Sequence, residues 1–147
     1  MAITTDEARS LVERLVEAMN NRDLDKLDDV VATGFVRHCQ ATPQLEINSI
    51  DDFKAFLRAD AAAFPDNVQT ITHLAADGDL IGIFATYEGT HLGPFGPFEP
   101  TGKHAKFDFA GVFKVEGDKL GEFWVTWDNM TILAQLGLLD GGDSTDG

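Results

Sequence analysis

Asp128 closes the run Glu122-Phe-Trp-Val-Thr-Trp-Asp128. Strand alternation there groups Trp124, Thr126 and Asp128 on one face and Phe123, Val125 and Trp127 on the other. A carboxylate beside indoles at a strand end has two readings. Buried in an apolar cavity, its pKa rises and it can act as a general base. Exposed, it caps the following turn, with Asn129 and Thr131 close by. The four histidines, His38, His73, His91 and His104, show no paired metal-ligand spacing. Cys39 is the sole cysteine, so an intrachain disulfide is excluded. Beside His38 on an extended segment it would point to the opposite face, which suits a buried inert thiol better than a dyad. There is no Gly-x-Ser-x-Gly elbow, no phosphate-binding loop and no His-Glu-x-x-His.

The elements that must position these residues can be read from caps and periodicity. Thr4 and Glu7 have capping-box spacing, and Ala8, Leu11, Leu15, Ala18 and Met19 recur behind them at helical intervals. Asp23 can cap a second helix through Leu24, Leu27, Val30 and Val31, followed by a short extended piece from Phe35 to Gln40. Ser49 opens a third helix with Phe53, Phe56, Leu57 and Phe64 as its apolar stripe, and Pro65 stops it. Beyond Pro65 the pattern changes to β-branched and aromatic strands over 68–74, 80–91, 103–115 and 120–128. Asp77-Gly78-Asp79 and Glu116-Gly117-Asp118 read as hairpin turns, whereas 93–102 is a longer Pro- and Gly-rich loop of the kind that covers a site. Residues 130–139 fit a last helical turn or two, and 140–147 a flexible acidic tail. Helices followed by an antiparallel meander predict one α+β domain over 1–139, with a curled sheet enclosing a pocket against the helices.

With 147 residues and 44% hydrophobic side chains the chain can bury one core. Its 11 basic against 25 acidic residues give a net charge of −14, which argues against nucleic-acid and anionic-membrane partners. No apolar run is long enough to span a bilayer, and MAITTDEARS lacks the form of a signal peptide. The expectation is a soluble, cytoplasmic domain.

Several short motifs in fixed order go further. Tyr87-Glu-Gly-Thr-His91-Leu-Gly93, Pro100-Thr-Gly-Lys103, Gly117-Asp-Lys-Leu-Gly-Glu122-Phe-Trp124 with Asp128, and Gln135-Leu-Gly137 resemble the signatures of the SnoaL-like polyketide cyclase (ester cyclase) family of the NTF2-like superfamily. That resemblance implies a cone-shaped fold, a deep apolar cavity, frequent homodimers, and neither a metal nor an organic cofactor. It also implies acid/base catalysis by Asp128 in an intramolecular aldol closure of a polyketide-like or other apolar carbonyl substrate. His91 would then hold the substrate carbonyl or orient Asp128, although a strand-end histidine can equally be satisfied by the 93–102 loop. His38, Trp124, Tyr87 and Phe109 are the expected substrate-binding residues. The sequence departs from the pattern at Glu99-Pro100, in the aromatic loop Pro94-Phe-Gly-Pro97-Phe98 and at Lys114.

Two other functions stay open at this point. Epoxide hydrolases on the same fold activate water with two aspartates and an arginine, for which Asp108, Asp128 and Arg37 could serve. A non-catalytic cavity that binds an apolar ligand, or a dimerisation module, is the third.

Overall fold

Local chemistry starts both long helices of the computed structural model, which describes residues 2–139. The Glu7 amide donates to Thr4 Oγ1 at 3.0 Å and the Thr4 amide to Glu7 Oε1 at 2.8 Å, so α1 (Thr5–Asn20) opens with a complete capping box. Ser49 Oγ accepts the Asp52 amide at 3.0 Å and starts α2 (Ile50–Ala63). Between them the expected second helix shrinks to a six-residue 3₁₀ helix, Leu24–Asp29. Val30 and Val31, with β-branched side chains that fit a pleat better than a helix, lead instead into β1 (Val31–Cys39), which therefore begins four residues earlier than Phe35.

The remaining strands are β2 (Val68–Asp77), β3 (Leu80–Thr90), β4 (His104–Glu116) and β5 (Lys119–Trp127), followed by the short α3 (Asn129–Gln135). They form one sheet in the order β1-β5-β4-β3-β2. The meander β2 to β5 is antiparallel, but β1 joins β5 in parallel, pairing Val36 with Glu122 and His38 with Trp124. Register shifts in β1, β2 and β5 mark bulges that bend the sheet. The result is the α+β arrangement expected: helices lie on the concave face of a curved, mostly antiparallel sheet. The core gathers Leu11, Val12 and Leu15 of α1, Phe53 and Leu57 of α2, and Ile81, Phe113 and Phe123 of the sheet.

Gly111 of β4 is required by the close approach of β5, whose Trp124 carbonyl oxygen would lie 2.5 Å from a Cβ at this position. A Cβ there would stand 2.6 Å from the Phe123 ring, which stacks on Phe113 with centroids 3.8 Å apart. Residues 140–147, read as an acidic tail, lie outside the described part.

Candidate active site

Strand parity decides which side chains meet inside. On β5 the inward set is Phe123, Val125 and Trp127; on β4 it is Phe107, Phe109 and Phe113; on β3 it is Ile83 and Tyr87. With Phe53, Phe56, Leu57, Asp60 and Phe64 of α2 they enclose a cavity of about 330 Å³. Nine of the chain's eleven phenylalanines line it. Phe95 to Phe98 of the 93–102 loop cover one end, their backbones paired by two mutual hydrogen bonds of 3.0 and 2.9 Å. That loop is pinned to α2, because the Gly93 amide donates to the Ala63 carbonyl at 3.1 Å. A Cβ on Gly93 would overlap the Ala62 carbonyl.

Two charged groups face this aromatic interior. Asp60 is half-buried in the cavity wall, and loss of water around its carboxyl pushes its pKa up to about 6. The Tyr87 hydroxyl donates to Asp60 Oδ1 at 2.9 Å and, with the charges of Arg22 and Arg37, opposes part of that rise. Oδ2 has only a 3.5 Å contact with Asn67 Nδ2. At about 1.4 kcal/mol per pH unit, ionising Asp60 inside the fold costs about 3 kcal/mol relative to water. Burial and the adjacent carboxylate together raise the Tyr87 hydroxyl far above its usual range, so it remains a donor. Arg37 on β1 is 7% exposed, its guanidinium 4.4 Å from the Phe56 ring centroid and 5.4 Å from that of Trp127.

The sequence-predicted residues divide between this cavity and the opposite side of the sheet. Tyr87 and Phe109 are cavity wall. Trp124 and His38 point outward: the two rings stack with centroids 5.4 Å apart, and His38 Nε2 meets Glu122 Oε2 at 2.6 Å. They line a wider depression of about 1100 Å³ across the outer face, together with His73 and Phe84. Trp124 could share a face with Asp128 only by leaving the cavity, because Phe123, Val125 and Trp127 take the inward positions.

Asp128 is exposed at the start of α3, where Oδ1 accepts the Met130 amide at 2.9 Å and Oδ2 the Thr131 hydroxyl at 3.1 Å. It caps the helix and does not line the cavity. His91 is fully buried behind Phe64, on which it stacks at 5.4 Å, and does not line the cavity either. The Thr101 amide donates to His91 Nδ1 at 3.2 Å, so the ring holds the base of the loop. The water-activating trio is also not assembled. Asp108 lies exposed on the outer face, accepting the Thr86 hydroxyl at 3.2 Å, while Arg37 faces inward. Among the described residues no cluster of three or more His, Cys, Asp or Glu side chains is placed to hold a metal ion.

Asp60 escaped the sequence reading although its signal was there. Positions 53, 57, 60 and 64 share one face of an α-helix, so a carboxylate stood inside the apolar stripe of α2.

A family model described as SnoaL-like polyketide cyclase matches residues 9–136. The chain belongs to that family. Solved structures agree on the architecture. TsrD from Streptomyces laurentii superposes with a TM-score of 0.84 at 23% identity, over 93% of this chain and 99% of its own. IdmH from Streptomyces antibioticus, a proposed polyketide cyclase, gives 0.79 at 28% identity over 88% of this chain and 98% of its own. An epoxide hydrolase of the LEH-like type from M. tuberculosis gives 0.70 at 21% identity, covering 90% of each chain, and attests the fold alone. No curated protein matches the chain. The NTF2-like cone expected of a SnoaL-like protein is therefore the fold this chain adopts, with a cyclase-type function as its general class. No described helix is long and apolar enough to cross a membrane.

Proposed function

We propose that this SnoaL-like protein closes a ring in a small carbonyl substrate by acid/base catalysis, with Asp60 as the base. The observation that carries the reading is a carboxyl group poised near pH 6 at an aromatic cavity, one oxygen held by Tyr87 and the other met only by the long contact from Asn67. Asp60 Oδ2 takes a proton from a carbon next to a carbonyl. The enolate carbon then attacks a second carbonyl of the same molecule, forming the new C–C bond as that C=O π bond opens to an alkoxide. The alkoxide takes the proton back from Asp60. Every atom of the substrate is retained, and no co-reactant is consumed. The cavity folds the substrate so that the ends meet and excludes water that would quench the enolate. In this assignment Asp128 is a helix cap and His91 a loop anchor.

The same proton abstraction can be measured before the true substrate is known. Solvent deuterium uptake into 2-tetralone, a two-ring ketone with an acidified CH₂, is followed by NMR above the buffer rate. Asp60→Asn should remove the protein-catalysed rate, a loss of two to four orders of magnitude for a general base, while Asp128→Asn keeps it. Exchange that persists in Asp60→Asn, or disappears only in Asp128→Asn, returns the role to the C-terminal carboxylate. A wild-type protein that binds the ketone without exchange would be a ligand carrier.

A homodimer also has a suitable surface. Phe84, Val112 and Trp124 are exposed together on the outer face of the sheet, and a second copy of the chain, as the family resemblance implies, would cover them.

A further inference from the structure

Among the described residues no carboxylate lies within ion-pair distance of the Arg37 guanidinium, although the charge of Asp60 acts on it across the cavity. Its only hydrogen bond there is a long one, 3.5 Å, to Thr42 Oγ1. Burial this deep normally demands a partner, because a desolvated cation without one costs several kcal/mol. Asp60 shares the cavity but stays beyond ion-pair distance.

The surroundings fix how a partner would approach. Phe56 and Trp127 bring their rings within cation–π distance of the guanidinium, at 4.4 and 5.4 Å, and the one long bond to Thr42 leaves most of its five N–H donors without a partner among the described residues. The group that fits such a fork of donors is a planar, two-oxygen anion bound in its plane. The rest of the wall is aromatic, and a cavity of about 330 Å³ is at the small end of the roughly 300–1,000 Å³ that ligand sites span. There is room for one or two fused rings and little else.

We infer that the cavity's ligand is a compact planar aromatic acid whose carboxylate pairs edge-on with Arg37. This rests on the ring-closure reading and deepens it, by dividing the cavity into an anion-holding end at Arg37 and a proton-exchanging group at Asp60. The chain's net charge of −14 does not oppose entry at physiological salt, where exposed charges are screened beyond about 8 Å.

The probes are 2-naphthoate and its neutral isostere 2-naphthamide. Their affinities are measured by calorimetry and by Trp127 fluorescence in the Trp124→Phe protein, which leaves the cavity indole as the sole tryptophan. The wild-type protein, with no substitution needed, should hold the carboxylate at least tenfold tighter than the amide. Arg37→Gln should abolish that preference while 2-naphthamide still binds, and Arg37→Lys should restore part of it. Equal or tighter binding of the amide by the wild type overturns the inference, as does a preference that survives Arg37→Gln. Asp60→Asn separates the two readings. Exchange that survives this substitution beside an intact naphthoate preference defeats the base assignment alone. Exchange that depends on Asp60 without any naphthoate preference defeats the anion site alone.

Discussion

At the scale of single residues, the chemistry depends on what desolvation does to one carboxyl group. Asp60 must be ionised to take a proton, so protein-catalysed exchange should rise with pH through about 6 and level off above it. The Tyr87 hydroxyl donates to the ionised form and thereby lowers the Asp60 pKa. Tyr87→Phe removes that donor, so the rising limb should move to higher pH, as rate measurements from pH 5 to 9 would show. A limb that stays put or moves down would mean that another group titrates. The sequence displayed both residues but ranked them unevenly. Tyr87 stands in a motif, whereas Asp60 is marked only by its place within the apolar stripe of α2, in a helix where aspartates are ordinarily surface residues. Nothing local marks Arg37 as inward, since its direction depends on β1 pairing with β5.

At the scale of elements, end signals proved the most legible. Thr4 and Ser49 cap the helices they were expected to cap, and the two hairpin turns fall at Gly78 and Gly117, both with positive φ. The boundary of β1 was not legible, because Leu24, Leu27, Val30 and Val31 fit a helical face as well as they fit a turn followed by a strand. Asp128 belongs here too. Its two hydrogen bonds start α3, which supplies Ile132 and Leu133 to the cavity wall and packs Leu136 into a second core cluster beside Phe64 and Tyr87. Asp128→Ala should cost about 1 kcal/mol of stability, the usual value of such a cap, seen as a lower midpoint in urea unfolding. A change below a few tenths of a kcal/mol would show that the cap contributes nothing. The 93–102 loop was expected to cover a site and does so with Phe95 and Phe98, which explains the aromatic departure from the family pattern in structural terms.

At the scale of the whole molecule, the α+β class and the enclosed cavity follow from hydrophobic alternation, whereas the parallel closure of the sheet does not, since no local pattern records which distant strand an edge will meet. The outer face carries the assembly question. Phe84 is 42% exposed and Trp124 41%, a burden that a second copy would remove. Sedimentation equilibrium should find a dimer for the wild type and a monomer for Phe84→Asp combined with Trp124→Asp, with exchange activity kept because neither side chain lines the cavity. A monomeric wild type at micromolar concentration would refute this.

The pairing of β1 with β5 also orders events in time. Arg37 and Trp127, the two sides of the cationic corner, belong to strands separated by α2 and the whole β2–β4 meander and meet only when the last strand docks. Loop closure over so long a span is entropically costly and places such topologies among the slower folders. Until that docking the cavity lacks a wall and can hold nothing, so a ligand recognises only the closed sheet. By mass action it then acts as a brace, adding about 2.7 kcal/mol of stability at a hundred times its dissociation constant. A protein without bound ligand would lack that brace along the β1–β5 seam.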